Sequence, residues 1–265
     1  VAVYQQDVSV VRREKPSSDQ TEPRQYRLRE IGGVWAAAAL PMAALAWLVA
    51  PALARMLDGP TAWPRALLVC MTAGLVWQGV LVLVLVRHET GSLRWPIVRD
   101  ALWLGRPVSP RTGRVGGRVW WALLPALVVV GIEQLLPSLR APAERDLGAF
   151  LRSAIGQDFL SGNWPWFGLI VVMAVFNTVL GEELLFRGLL LPRMRGAFGR
   201  ADWLANGLLF AVYHLHLPWV IPKALLDTVA LAYPTRRYRS AWLGIIVHSV
   251  QSLLIVGASL AAVLR

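Results

Sequence analysis

Residues 164–192 read WPWFGLIVVMAVFNTVLGEELLFRGLLLP. The run from Trp164 to Gly181 carries no charge, Glu182, Glu183 and Arg187 then follow within one and a half turns, and apolar residues resume at Gly188–Leu191 before Pro192. A bilayer core about 30 Å thick calls for roughly 20 apolar residues per helix. The stretch therefore reads as a membrane helix that continues to Pro192 and holds three charges inside its length. Each ionisable group at such a depth costs about 2.5–3.5 kcal/mol on insertion scales, which makes these residues functional candidates.

Moving outward, Val34–Ala54, Ala66–Val86 and Ala241–Leu264 are uncharged and long enough to cross a bilayer. Val119–Leu139 is as long but contains Glu133 and Gln134, and Trp203–Ile221 is apolar apart from Asn206 and two histidines. Leu225–Tyr233 is short, contains Asp227 and is bounded by Pro222 and Pro234, so it reads as either a seventh span or a re-entrant turn. Lys223 and Asp227, four apart, are expected to pair on one helix face. The prediction is an all-α, polytopic helical bundle of about seven transmembrane helices, a polar N-terminal tail over 1–33 and a membrane domain over 34–265.

Composition agrees with that reading. The 265 residues are 56% apolar and 16% charged, mean hydropathy is +0.50 and net charge is +11. Disordered and fibrous chains are excluded. A basic chain suggests nucleic acid, but here the arginines punctuate apolar runs instead of gathering on a polar domain, so no nucleic-acid partner is expected. Of 27 Lys and Arg, 20 fall in the odd-numbered inter-span segments and 7 in the even-numbered ones. The positive-inside rule then predicts a cytoplasmic N-terminus, seven crossings and an external C-terminus, in a bacterial inner membrane. The arginine- and tryptophan-containing stretch Leu93–Gly117 is expected to lie at the cytoplasmic headgroups. Cys70 is the single cysteine, which excludes an intrachain disulfide and a cysteine-based zinc site.

At 100° per residue, Glu183 and Arg187 share a helix face and Glu182 points about 140° away from Arg187. Glu183–Arg187 is expected to be a structural pair and Glu182 the chemical group. Glu182 lies roughly 15 Å from the cytoplasmic end of its helix, His214, in Phe210-Ala211-Val212-Tyr213-His214, roughly 16 Å, and His248 of the last span roughly 10 Å. Three polar groups from three helices thus meet at similar depth.

Glu-Glu-xxx-Arg at 182–187, Phe-xxx-His at 210–214 and His248 resemble the three motifs of the CPBP family, the CAAX proteases and bacteriocin-processing enzymes, also called the Abi or type II CAAX endopeptidase family, over about 164–256. The resemblance implies an intramembrane endopeptidase with a conical, water-filled cavity open to the cytoplasm. It implies that Glu182 and His214 position and deprotonate a water, and that His248 and a neighbour one turn later stabilise the oxyanion. The family usually has Asn or Asp at that neighbour; here it is Ser252, with Gln251 beside it. The implied substrate is a membrane-associated or lipidated peptide or protein cut near the cytoplasmic leaflet.

No cofactor is predicted, and zinc is the second choice: Glu182, His214 and His248 would form a His₂Glu set with an open fourth position. Against it, no His-Glu-xx-His places two ligands on one helix. The competing reading of the chain is a non-catalytic membrane immunity or binding protein on the same fold, which the Ser252 departure favours. A proton-relay transporter is a third. His216 is expected at a helix end, Glu133 as a packing or pairing residue near the external end of its span, Asn177 as an interhelical hydrogen-bonder and His88 at the surface.

Overall fold

A computed structural model of the chain describes residues 23–136, 139–142 and 145–265. Five helices are long and apolar enough to cross a membrane, namely α1 (Leu28–Ala54), α2 (Ala62–Thr90), α4 (Gly117–Leu135), α7 (Trp164–Arg193) and α10 (Trp242–Val263). Shorter helices complete the bundle: α3 (Trp95–Ala101), α5 (Leu147–Arg152), α6 (Ala154–Leu160), α8 (Asp202–Tyr213) and α9 (228–238). Among the described residues the only β pairing is an isolated bridge between Val108 and Val115. The chain is an all-helical integral membrane protein.

The expected boundaries shift for identifiable reasons. Most of the polar tail, 1–22, lies outside the described residues, and its last six positions are already helical because α1 starts at Leu28. The charged first turn of α1 is capped by Glu30, whose side chain accepts from the Arg27 backbone N–H at 2.7 Å. α4 ends at Leu135, short of the expected Leu139, and residues 137–138 fall outside the described ones.

The largest difference lies between Trp203 and Tyr233, where two crossings were expected. α8 stops at Tyr213 after 12 residues, short 3₁₀ turns follow over His214–His216 and Pro218–Val220, and Leu217 between them is non-helical. The break is local chemistry. His214 Nδ1 is 3.0 Å from the Phe210 carbonyl, the acceptor that the His214 backbone N–H would use in a continuing helix, and Pro218 and Pro222 cannot donate to one. The chain then returns through α9. Neither arm reaches spanning length, so five helices rather than seven do so. Lys223 and Asp227 do not share a continuous helix, since a turn at Leu225–Leu226 separates them, and Asp227 Oδ1 has no hydrogen-bond partner among the described residues.

Both ends of this hairpin lie on one face of the bundle. Arg236 pairs with buried Asp202, joining the end of α9 to the start of α8. The Val108 N–H donates to the Tyr238 carbonyl at 2.9 Å, and Ala241 N–H to Trp103 at 2.8 Å, so the loop after α3 sits beside the start of α10. Tyr26 N–H donates to the Arg193 carbonyl at 2.9 Å and its hydroxyl hydrogen-bonds Glu89; Arg193 also reaches Glu89 at 2.7 Å and the Ala101 carbonyl at 3.0 Å. The start of α1, the end of α2, α3, the end of α7 and the start of α10 therefore share a face. Most of the arginines in the odd-numbered segments lie here.

The opposite face is equally well tied. Gly162 N–H donates to the Val263 carbonyl at 3.0 Å, which sets the start of α7 against the end of α10. The Arg145 guanidinium lies 3.8 Å over the Trp47 ring and 4.8 Å from that of Trp63, and Arg65 lies over Trp166. The start of α1 and the end of α10 therefore lie on opposite faces of the bundle.

Candidate active site

α7 carries the decisive residues and is not a regular α-helix. Residues Phe176–Gly181 and Leu184–Leu190 adopt π-helical turns, flanking Glu182 and Glu183. Such wide turns inside helices recur at functional sites because they re-aim side chains. Gly181 permits the close approach of α7 to α2: a Cβ there would lie 2.9 Å from the Leu75 carbonyl oxygen. The neighbouring glutamates are thereby held against the bundle centre, 2% and 0% exposed.

Glu183 is the structural partner that the helical spacing predicts. Its Oε1 lies 3.1 Å from Arg187 Nη1, with both side chains fully buried. The Arg187 guanidinium also lies 3.9 Å over the Phe210 ring, which gives the motif phenylalanine a physical role as the apolar wall and π-face for a buried cation. His248 joins this pair, its Nδ1 3.0 Å from the same Glu183 oxygen. Room for the carboxylate comes from α10 at Gly244, where a Cβ would collide with Glu183 Oε2 and lie 3.3 Å from Arg187 Cγ and Thr235 Oγ1. A carboxylate on Nδ1 fixes the ring and leaves Nε2 as its free nitrogen.

Glu182 faces away from Arg187 and lines a cavity of about 590 Å³. The Tyr213 hydroxyl stands in hydrogen-bonding reach of its carboxylate and accepts from Gln78 Nε2 at 2.6 Å. Tyr213 and Gln78, both fully buried, were not singled out from the sequence. A signal existed, since Gln78 interrupts an otherwise apolar span.

His214 borders the same cavity. Its Nδ1 faces a carbonyl oxygen, which only accepts, so Nδ1 carries the proton and Nε2 bears the lone pair in the neutral ring. The ring packs edge-on against Phe210 at 4.9 Å and stacks on His216 at 5.4 Å. His216, 2% exposed, closes the helix end as expected and also borders the cavity.

His248 and Ser252 complete the wall from α10, both buried and one turn apart. Gln251 is paired, its Nε2 donating to Glu133 Oε2 at 3.0 Å. Glu133 is thus the pairing residue expected, yet it too borders the cavity, as do Asn177 and Asp227. His88 is exposed and Cys70 buried, both as expected. The structure brings together Glu182, His214, His248, Phe210 and Ser252 at the cavity, with Glu183 and Arg187 behind His248. Gln251 lines the same cavity, with its amide committed to Glu133.

Residues 163–254 match the family model described as type II CAAX prenyl endopeptidase Rce1-like. The motif segment is CAAX-endopeptidase-like. That match bears out the resemblance read from the three motifs, over the part of the chain that builds the cavity. Comparison with curated proteins and with solved structures gives no match.

Two features bear on the chemistry of this CAAX-endopeptidase-like segment. Among the described residues no three His, Cys, Asp or Glu side chains are grouped to hold a metal ion. Tyr213 stands beside Glu182, and Glu183 holds His248 through Nδ1. The second is direction. From Glu182 and His248 the cavity runs along Ser252, Ile255 and Ser259 of α10, toward α5 and α6. This is away from the arginine-rich face. The cavity and the arginine-rich helix ends thus lie toward opposite faces of the bundle.

Proposed function

We propose that the chain is an intramembrane endopeptidase in which Glu182 and His214 activate a water for attack on a peptide carbonyl. The observation that carries this reading is the convergence of Glu182, His214 and His248, from three helices, on one largely apolar cavity within the CAAX-endopeptidase-like segment. A carboxylate and an imidazole lone pair facing the same space supply the acceptors a water needs to lose a proton. Apolar walls strengthen these interactions by excluding competing solvent.

In this scheme His214 Nε2 accepts the proton and Glu182 orients the water, with Tyr213 fixing the carboxylate from the other side. His248 Nε2 and the Ser252 hydroxyl donate to the developing oxyanion. Glu183 stabilises positive charge on the His248 ring as Nε2 donates, and Arg187 in turn neutralises Glu183. Tetrahedral collapse then releases the amine, with the proton returned from His214.

The test is proteolysis of candidate membrane substrates by purified protein in liposomes. Glu182→Gln and His214→Ala are expected to lower turnover by about 10²–10⁴ each, the range for losing a general base. Retention of full cleavage by both variants would sink the reading. A second reading, a non-catalytic binding protein, is favoured by one observation: Ser252 replaces the family's amide or acid, and the nearby Gln251 amide is committed to Glu133. It predicts stoichiometric capture of a membrane peptide with no product, unaffected by Glu182→Gln.

A further inference from the structure

The helix ends divide into two chemically distinct faces. One carries the ends of α2 and α7, the starts of α1 and α10, α3 and its loop, and most of the basic residues; the other carries α5, α6, the start of α2 and the end of α10. The cavity belongs wholly to the second. Its wall includes Leu68, Met71 and Leu75 from the first half of α2, and none of the residues that knit the arginine-rich face. Its outer boundary is polar at Arg152 and Gln157, carried by the short helices α5 and α6. Each of these helices begins at a capped N-terminus, with Asp146 accepting from Ala149 N–H at 2.7 Å and Ser153 from Gly156 N–H at 3.1 Å. Two short capped helices, each too short to span a bilayer, suit a position at a membrane–water boundary.

Basic residues are retained on the cytoplasmic side during insertion, and loops near membrane helices obey this bias most strongly. The arginine-rich face holds Arg87, Arg94, Arg99, Arg114, Arg236 and Arg239 among others. We infer that this face is cytoplasmic and that the cavity therefore receives its ligand from the extracytoplasmic side. Resting on the endopeptidase reading, this names the substrate class: the cleaved segment belongs to the extracytoplasmic part of a membrane-anchored or exported polypeptide, with an apolar stretch that fits the leucine- and methionine-lined wall. Cytosolic tails are not its substrates.

Sidedness is measured without any assay of activity. In a Cys70→Ser background, single cysteines are placed at the cavity boundary, Gln157→Cys and, independently, Arg152→Cys, and on the other face at Arg114→Cys. Right-side-out and inside-out membrane vesicles are treated with a membrane-impermeant maleimide. The inference expects both boundary cysteines to label in right-side-out vesicles and Arg114→Cys to label only in inside-out ones. The reverse pattern, with boundary cysteines reached only from the cytoplasmic side, overturns it. Should the expected labelling appear while Glu182→Gln retains full turnover, the endopeptidase reading fails and the sidedness stands.

Discussion

Glu183 Oε1 lies between two nitrogen partners on different helices, 3.1 Å from Arg187 Nη1 on its own helix and 3.0 Å from His248 Nδ1 on α10. The adjacent Glu182 makes no salt bridge with either of them and opens onto the cavity. One dipeptide thus supplies a structural group and a chemical group, because successive helical positions point about 100° apart.

That division predicts opposite phenotypes. Glu183→Ala leaves the buried Arg187 without its counter-ion, and is expected to cost about 3–5 kcal/mol, with loss of the folded protein from detergent extracts. Glu182→Gln removes no ion pair and is expected to leave thermal unfolding in detergent within about 1 kcal/mol of the parent while lowering turnover by about 10²–10⁴. Equal destabilisation by both substitutions would contradict the assignment of roles.

Gly244 sets a limit on the same site from α10. Its Cβ position is occupied by the Glu183 carboxylate, so Gly244→Ala must displace either that side chain or the helix. Overpacking of this kind costs about 1–3 kcal/mol. The displaced carboxylate would also release His248, so activity is expected to fall further than stability; parallel unfolding and turnover measurements on the one variant separate the two effects.

Tyr213 bridges Gln78 and Glu182. Tyr213→Phe strands the buried Gln78 amide, at a cost of about 1–3 kcal/mol, and frees the Glu182 carboxylate. Adding Gln78→Leu is expected to restore stability without restoring turnover. Recovery of both by the double variant would show that the tyrosine acts only through packing.

The clamp on the arginine-rich face is expected to matter for folding alone. Arg193 is 1% exposed, pairs with Glu89 and donates to the Ala101 and Leu189 carbonyls, so Arg193→Met leaves Glu89 without its counter-ion and removes a donor from two carbonyls. A loss of about 3 kcal/mol or more is anticipated from a broken buried pair. Turnover per folded molecule, measured after removing aggregate, should be unchanged.

Much of the candidate site was legible in order and spacing. Glu182, Glu183 and Arg187 stand out because charges inside an apolar run are costly, and the i,i+4 pairing follows from helical geometry alone. The helix through Trp164–Arg193 was likewise readable, since apolar character resumes after Arg187. Between Trp203 and Tyr233, where two crossings were expected, no continuous helix reaches spanning length, because hydropathy registers a residue's polarity and not whether its backbone continues. There the His214 side chain takes a carbonyl and prolines remove donors, so the helix stops midway.

By itself, then, the sequence determined the solvent, the charge asymmetry and the three motif groups, all of which depend on residue type and local periodicity. Tertiary structure alone decided which side chains those groups meet. That Gln78 reaches Tyr213, that Gln251 turns to Glu133, and that the cavity runs from Glu182 toward Ser259 and away from the arginines are consequences of how separate helices pack. Contacts between residues far apart in the chain depend on the relative placement of whole helices, and no local pattern carries that information.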